Sequence, residues 1–229
     1  MDGMEAAATY YGERVGGDLY DFVKVGSRLV FGLLDVAGRT ADNAGIAAAV
    51  QNVFRASIPE LFAEPSCTNE ADAMMELTVR INRRVLEAAG GVHPCSAFAA
   101  CCNAELGTLC YVNAGHSPGL LRADSTISRL EASGLPLGLF SHATHDAPTF
   151  GLPPGGALLL VSRGLIEAAS KKEEFGIQRV ERSLLATENS SASQVCEAVV
   201  SSLVKFMGRN TPQNDISAVA LVRGSAPSR

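Results

Sequence analysis

A two-residue turn, Gly26-Ser27, separates two strand-like runs, GGDLYDFVKV and RLVFGLLDVAG, and so specifies a β-hairpin from local chemistry alone. Glycine at the first turn position supplies the positive φ that a type II′ turn needs. With Val25 and Arg28 flanking the turn, the pairing runs outward from it. Lys24 opposes Leu29, Phe22 opposes Phe31, Tyr20 opposes Leu33 and Asp18 opposes Asp35. Directly opposed side chains share a face, with Cβ atoms roughly 5 Å apart. Two carboxylates at that separation repel by about 3 kcal/mol at an effective dielectric of about 20. Positive charge between them removes that penalty, and adjacent carboxylates are a hard-cation site. The alternative is a solvated strand end where both charges splay into water. Spacing alone leaves both open.

Composition narrows the partners. The chain has 229 residues, 47% of them apolar, which is enough for one large core, and no Pro/Gly/Ser-rich linker divides it. We expect a single domain over 1–223 and a frayed tail over 224–229. The net charge of −5 and the absence of a basic block argue against a nucleic-acid partner. No apolar run reaches the roughly 18 residues that cross a bilayer. The acidic start, MDGMEAAATYYGE, lacks the basic and apolar regions of a signal peptide. The six cysteines, at 67, 95, 101, 102, 110 and 196, show neither metal nor disulfide spacing. A reducing, cytoplasmic setting is expected.

The pattern predicts strands over 6–11, 18–25 and 28–36, then helices over 41–62 and 69–89. In the second helix Thr68 or Asn69 can cap the start, Met74, Leu77, Ile81 and Val85 form the buried stripe, and Gly90-Gly91 ends it. Strands follow over 96–103, 108–113, 119–122 and 126–130. Two further strand-like runs, 147–152 and 157–162, are joined by Pro-Pro-Gly-Gly. Helices over 177–187 and 191–207 and a strand over 215–222 complete the set. Ser191 and Gln194 have capping-box spacing. This order does not alternate as βαβ units do, and it predicts antiparallel sheets with helices outside, a layered α+β domain.

At GGDLYDF and LLDVAG the chain resembles the PPM family of metal-dependent protein serine/threonine phosphatases, most of all its bacterial SpoIIE-like branch. Further stretches agree in order: YVNAGHSPGLLR (111–122), SGLPLGLF (133–140), LPPGGALLLVSRGLIEA (152–168), EEFG (173–176) and NDISAVALV (214–222). The resemblance implies a four-layer α-β-β-α sandwich with two antiparallel sheets flanked by helices. It also implies Mn²⁺ or Mg²⁺ at one sheet edge, where a metal-bound water attacks a phosphoserine or phosphothreonine phosphorus. Asp35 would be the shared ligand, the Val36 carbonyl would add to one ion, and Asp18 would serve that ion through water.

Two ligand positions depart from the family. Its T-D-G-x-x-E-A motif reads Ser162-Arg163-Gly164-Leu165-Ile166-Glu167-Ala168 here, with arginine where aspartate belongs. Its D-D-I-T motif reads Asn214-Asp215-Ile216-Ser217, and an ungapped match puts Asn214 in the ligand position. A one-residue shift would restore Asp215. A guanidinium cannot ligate a metal ion. The expected placement of Arg163 is inward, pairing with Asp18 or Asp35; the alternative is outward to solvent. Either way one metal site is expected rather than two, or none. Arg14 could hold a substrate phosphate, though an exposed arginine is the plainer reading. His116 reads as a hydrogen-bonded structural residue, and Asp21, on the opposite face from Asp18, as a supporting one. Asp42-Asn43 stand where the family carries a glycine-rich turn.

Two functions compete. One is hydrolysis of phosphoserine or phosphothreonine on a phosphorylated regulatory protein, which the resemblance makes a STAS-type anti-sigma-factor antagonist. The other is a pseudophosphatase that binds phosphoproteins or regulates without turnover, as Arg163 and Asn214 suggest. Nucleic acid and membrane are not expected partners, and a homodimer is left open.

Overall fold

A computed structural model describes residues 3–11, 17–38, 43–64, 69–188 and 190–224. The first half carries β1 (Met4–Tyr11), β2 (Asp18–Val25), β3 (Arg28–Val36), α1 (Asn43–Phe62), α2 (Glu70–Ala89), β4 (Cys95–Asn103) and β5 (Thr108–Ala114). Then come β6 (Gly119–Ala123), β7 (Thr126–Leu130), β8 (Thr149–Gly151) and β9 (Ala157–Val161). The remainder is α3 (Arg163–Glu167), β10 (Ala169–Ser170), β11 (Glu173–Glu174), α4 (Ile177–Leu185), α5 (Ala192–Met207) and β12 (Ile216–Arg223). Antiparallel pairing builds two five-stranded sheets, β2-β3-β4-β5-β8 and β1-β12-β9-β6-β7, and a small β10-β11 ribbon.

Contacts divide the chain into two compact units, one around each large sheet. In the hairpin unit, α1 and α2 cover one face of the β2-β3-β4-β5-β8 sheet. Their apolar stripes, Val50, Phe54 and Ile58 on α1 and Met74, Leu77, Ile81 and Val85 on α2, close on Val30, Leu34 and Val112. Burying each such side chain is worth about 1.5–3 kcal/mol, so the stripe rather than helix propensity holds α2 in place. Asn69 caps α2, accepting from the Ala71 N–H at 2.9 Å, and Gly90 ends it at φ 66°.

In the closing-strand unit, α4 and α5 pack Val180, Leu184, Val195, Val199 and Leu203 against Leu159, Val161, Ala218 and Ala220. The Ser191–Gln194 capping box forms at the head of α5: the Gln194 N–H donates to Ser191 Oγ (3.3 Å) and the Ser191 N–H to Gln194 Oε1 (2.8 Å). The runs either side of Pro153–Gly156 do not pair with each other. β8 joins β5 in the hairpin unit, whereas β9 lies between β12 and β6. Turn composition marks a reversal but not which sheet each arm enters. The short α3 and the β10-β11 ribbon lie below the length at which periodicity can announce an element. No helix among the described residues is long and apolar enough to cross a membrane.

Candidate functional site

β2 and β3 pair in the register that the turn length dictates, from Val25 opposite Arg28 to Asp18 opposite Asp35. Gly26 takes φ 57°, as the type II′ turn requires. Phe22 stacks on Phe31 with ring centroids 6.1 Å apart, confirming the shared face two rows from the turn. Asp18 and Asp35 therefore end one row, and Ser96 of β4 extends it beyond Asp35. Both aspartates are half-buried.

Gly17 closes the open end of the hairpin, its carbonyl accepting the Val36 N–H at 3.0 Å. A Cβ at Gly17 would stand 3.0 Å from the Val36 carbonyl oxygen and 3.5 Å from Asp35 Oδ1. The space a side chain would fill is thus bordered by a peptide oxygen and a carboxylate oxygen. These are the donors that a hard divalent cation takes, with water completing its shell. Among the described residues no group of three or more His, Cys, Asp or Glu side chains is placed to hold a metal. Asp18, Asp35 and the Val36 carbonyl are oxygen donors of the kind a hydrated divalent ion takes, not a closed cage. Cys95, paired with Val36, lies on the other face of the sheet from Asp35 and Ser96, its Sγ donating to the His93 carbonyl at 3.6 Å; burial, with the Asp35 charge adding, pushes its thiol up to about 12.

Asp21 sits on the other face of β2 and binds α1. Arg55 clamps it through Nε to Oδ2 (2.6 Å) and Nη2 to Oδ1 (3.0 Å), and the Phe22 N–H donates to Oδ1 at 2.9 Å. Burial pushes this carboxyl up, but hydrogen bonds from Arg55, Phe22 and Gln51 outweigh it and leave it below the usual carboxylate range. It is the supporting residue that strand alternation implies.

The motifs that depart from the family lie in the closing-strand unit. Arg163 opens α3, and its guanidinium forms an ion pair with Glu167 one turn on. Its side chain is 69% exposed, so the outward placement is the one observed. The sequence reading overlooked that partner because an i,i+4 pair needs a helix, and α3 was not foreseen. Gly164 packs so tightly beneath Asn214 and Asp215 that a Cβ there would collide with the Asp215 carbonyl. Asn214 is exposed, whereas Asp215 is 8% exposed and accepts from the Tyr10 hydroxyl at 2.6 Å. Ser162 ties the two strand ends together: its Oγ donates to the Asp215 carbonyl (3.2 Å) and accepts the Ser217 N–H (2.9 Å). His116 is buried, its N–H on Asn113 Oδ1 at 2.8 Å. Arg14, Asp42 and Cys67 lie outside the described residues.

Gly17, Tyr10 and Ser96 were not singled out from sequence. The β2-β3 register could have found Gly17, one residue beyond Asp18. Tyr10 needed the β1-β12 pairing, which no local signal announces.

The family model for the stage II sporulation protein E (SpoIIE) matches residues 26–223. The chain belongs to the SpoIIE family. It is 29% identical over 119 residues to protein IcfG of Synechocystis sp., covering 51% of this chain and 19% of that protein. It is 26% identical over 198 residues to the phosphoserine phosphatase RsbU of Bacillus subtilis, covering 85% of this chain and 56% of that protein. The chain thus spans only part of either relative. In fold it resembles the RsbU and RsbW domains of Rv1364c from Mycobacterium tuberculosis, with TM-score 0.79 at 22% identity over 99% of this chain and 61% of that one. The PstP catalytic domain, solved with two manganese ions, matches with TM-score 0.68 at 13% identity, covering 97% of this chain and 99% of that one. The α+β architecture of two antiparallel sheets with flanking helices is that of PPM phosphatases.

Proposed function

We propose that the chain is a metal-dependent phosphatase domain that hydrolyses phosphoserine or phosphothreonine on a regulatory protein, of the STAS-type anti-sigma-factor antagonist class. One Mn²⁺ or Mg²⁺ would be held by Asp18, Asp35 and the Val36 carbonyl. The observation that carries this reading is the facing Asp18–Asp35 pair beside the space at Gly17. A bound ion of this kind supplies an activated water and neutralises charge on the phosphoryl group. The two carboxylates supply the negative charge that attracts the ion, and Gly17 keeps side-chain bulk away from it.

Asp215, rather than Asn214, is the carboxylate we assign to the machinery in the closing-strand unit, because it is buried and held by Tyr10. Arg163 and Asn214 do not fit a second ion: one is a permanent cation and the other a neutral amide. Arg163 also favours a second reading, a regulatory module that recognises phosphoprotein without turnover. The proposed setting is cytoplasmic, where the buried thiols of Cys101 and Cys196 stay reduced.

The test is hydrolysis of a phosphoserine peptide at millimolar Mn²⁺ beside Asp35→Ala. Turnover by the parent that Asp35→Ala abolishes supports the phosphatase. A parent that binds Mn²⁺ yet releases no phosphate supports the regulatory module.

A further inference from the structure

Three consecutive peptide carbonyls follow Asp35, and two side chains from elsewhere in the hairpin unit hold all of them. Asn43 Nδ2 donates to the Gly38 carbonyl at 2.6 Å and to the Val36 carbonyl at 3.4 Å. His93 Nε2 lies 2.9 Å from the Ala37 carbonyl between them. Carbonyl oxygens only accept, so the NH₂ end of the Asn43 amide faces the strand, and His93 carries its proton on Nε2. The backbone N–H groups are held as well, Val36 by the Gly17 carbonyl (3.0 Å) and Ala37 by the Pro94 carbonyl (3.1 Å).

Asn43 is 1% exposed and opens α1. An asparagine at a helix start commonly accepts from first-turn N–H groups. This one also sends its donor back to the end of β3, which capping of α1 does not require. Nor does packing, since an apolar side chain would fill the same volume without a buried amide to satisfy. Gly38, the last of the three, sits at φ 85°, in the left-handed region. A carbonyl that must face a cation binds it weakly if the peptide has to be ordered in the same step.

We infer that Asn43 and His93 are positioning residues that fix the Val36–Gly38 segment so that the Val36 carbonyl is presented beside Asp35 to a divalent cation. A carbonyl has two acceptor sites, so the Val36 oxygen can take the long Asn43 hydrogen bond and still ligate. The inference rests on the reading of Asp18, Asp35 and Val36 as a cation site. It gives a role to the Asn43 position, where this chain departs from the family's glycine-rich turn.

The experiment is calorimetric titration of the full chain with Mn²⁺, paired with melting of the metal-free protein. The variants are Asn43→Leu, His93→Ala, His93→Gln and Asp35→Ala. Outer partners of metal ligands are worth about 10–100-fold in affinity. We expect Asn43→Leu and His93→Ala each to weaken Mn²⁺ binding about tenfold. His93→Gln, which keeps an N–H donor, should stay within about threefold of the parent. Should Asn43→Leu not fold, the His93→Ala and His93→Gln comparison decides the matter. Lowered melting with unchanged Mn²⁺ affinity in both donor-removing variants makes them merely structural and overturns the inference alone. A parent that binds Mn²⁺ no better than Asp35→Ala overturns the cation site, and the positioning role with it.

Discussion

Gly17 separates a cation site from an ordinary strand end more sharply than either aspartate does. Removing an aspartate removes charge in both cases, whereas a methyl group at Gly17 enters the space beside the Val36 and Asp35 oxygens. Gly17→Ala should weaken Mn²⁺ binding at least about tenfold. It should lower metal-free melting by only about 2–4 °C, the effect of roughly 1 kcal/mol in a chain of this size. Unchanged Mn²⁺ affinity in a folded Gly17→Ala variant removes that space from the site. Asp21 gives a control on the other face of the same strand. Its folded carboxyl titrates below its ordinary value of 3.8, so its contribution is full above that value and fades as pH falls through the depressed one. Arg55 is 60% exposed, so solvent screens the pair and the effect is small. Asp21→Asn should lower the melting temperature more at pH 7 than at pH 2, leaving Mn²⁺ affinity alone. Equal destabilisation at both pH values would mean that the Arg55 clamp is not what matters.

At the scale of elements, legibility followed the reach of each signal. The β2-β3 register could be read because two turn residues determine every pair outward from them. The stripes of α1 and α2 and the Ser191 capping box were equally local. The separation of β8 from β9 into different sheets was not legible, because it depends on pairing with β5 and β12, far away in sequence. Loop anchoring was hidden for the same reason. Asn82, on the buried side of α2, accepts from the Gly138 N–H and donates to the Phe140 carbonyl, both at 2.8 Å. It pins the SGLPLGLF stretch, which also bonds to His93 and Cys95 at the entry of β4. Asn82→Ala should cost about 1–3 kcal/mol, since two backbone groups lose their partner, and protease should then cut between 133 and 142 first. An unchanged cleavage pattern would show that the Cys95–Leu137 backbone pairing holds the stretch unaided.

Across the whole molecule, family membership and fold were legible in a run of short motifs, while the state of the ligand positions was not. Asp18 and Asp35 followed from spacing, but the placement of Arg163 depended on a five-residue helix that gives it Glu167. The burial of Asp215 beside an exposed Asn214 goes with the Tyr10 hydroxyl, more than two hundred residues away in sequence. Gly164 packs against Asn214 and Asp215, so Arg163→Asp would add a carboxylate to the segment that touches Asp215. That variant should bind more Mn²⁺ than the parent and hydrolyse phosphoserine peptide faster; no gain in either would mean that position 163 is not the lost ligand position. The most direct measurement is an electron paramagnetic resonance titration counting Mn²⁺ bound to the parent, to Asp18→Asn and to Asp35→Ala. The facing-carboxylate account predicts one ion on the parent, with affinity reduced at least about tenfold in both variants. Equal Mn²⁺ uptake by all three proteins would contradict it.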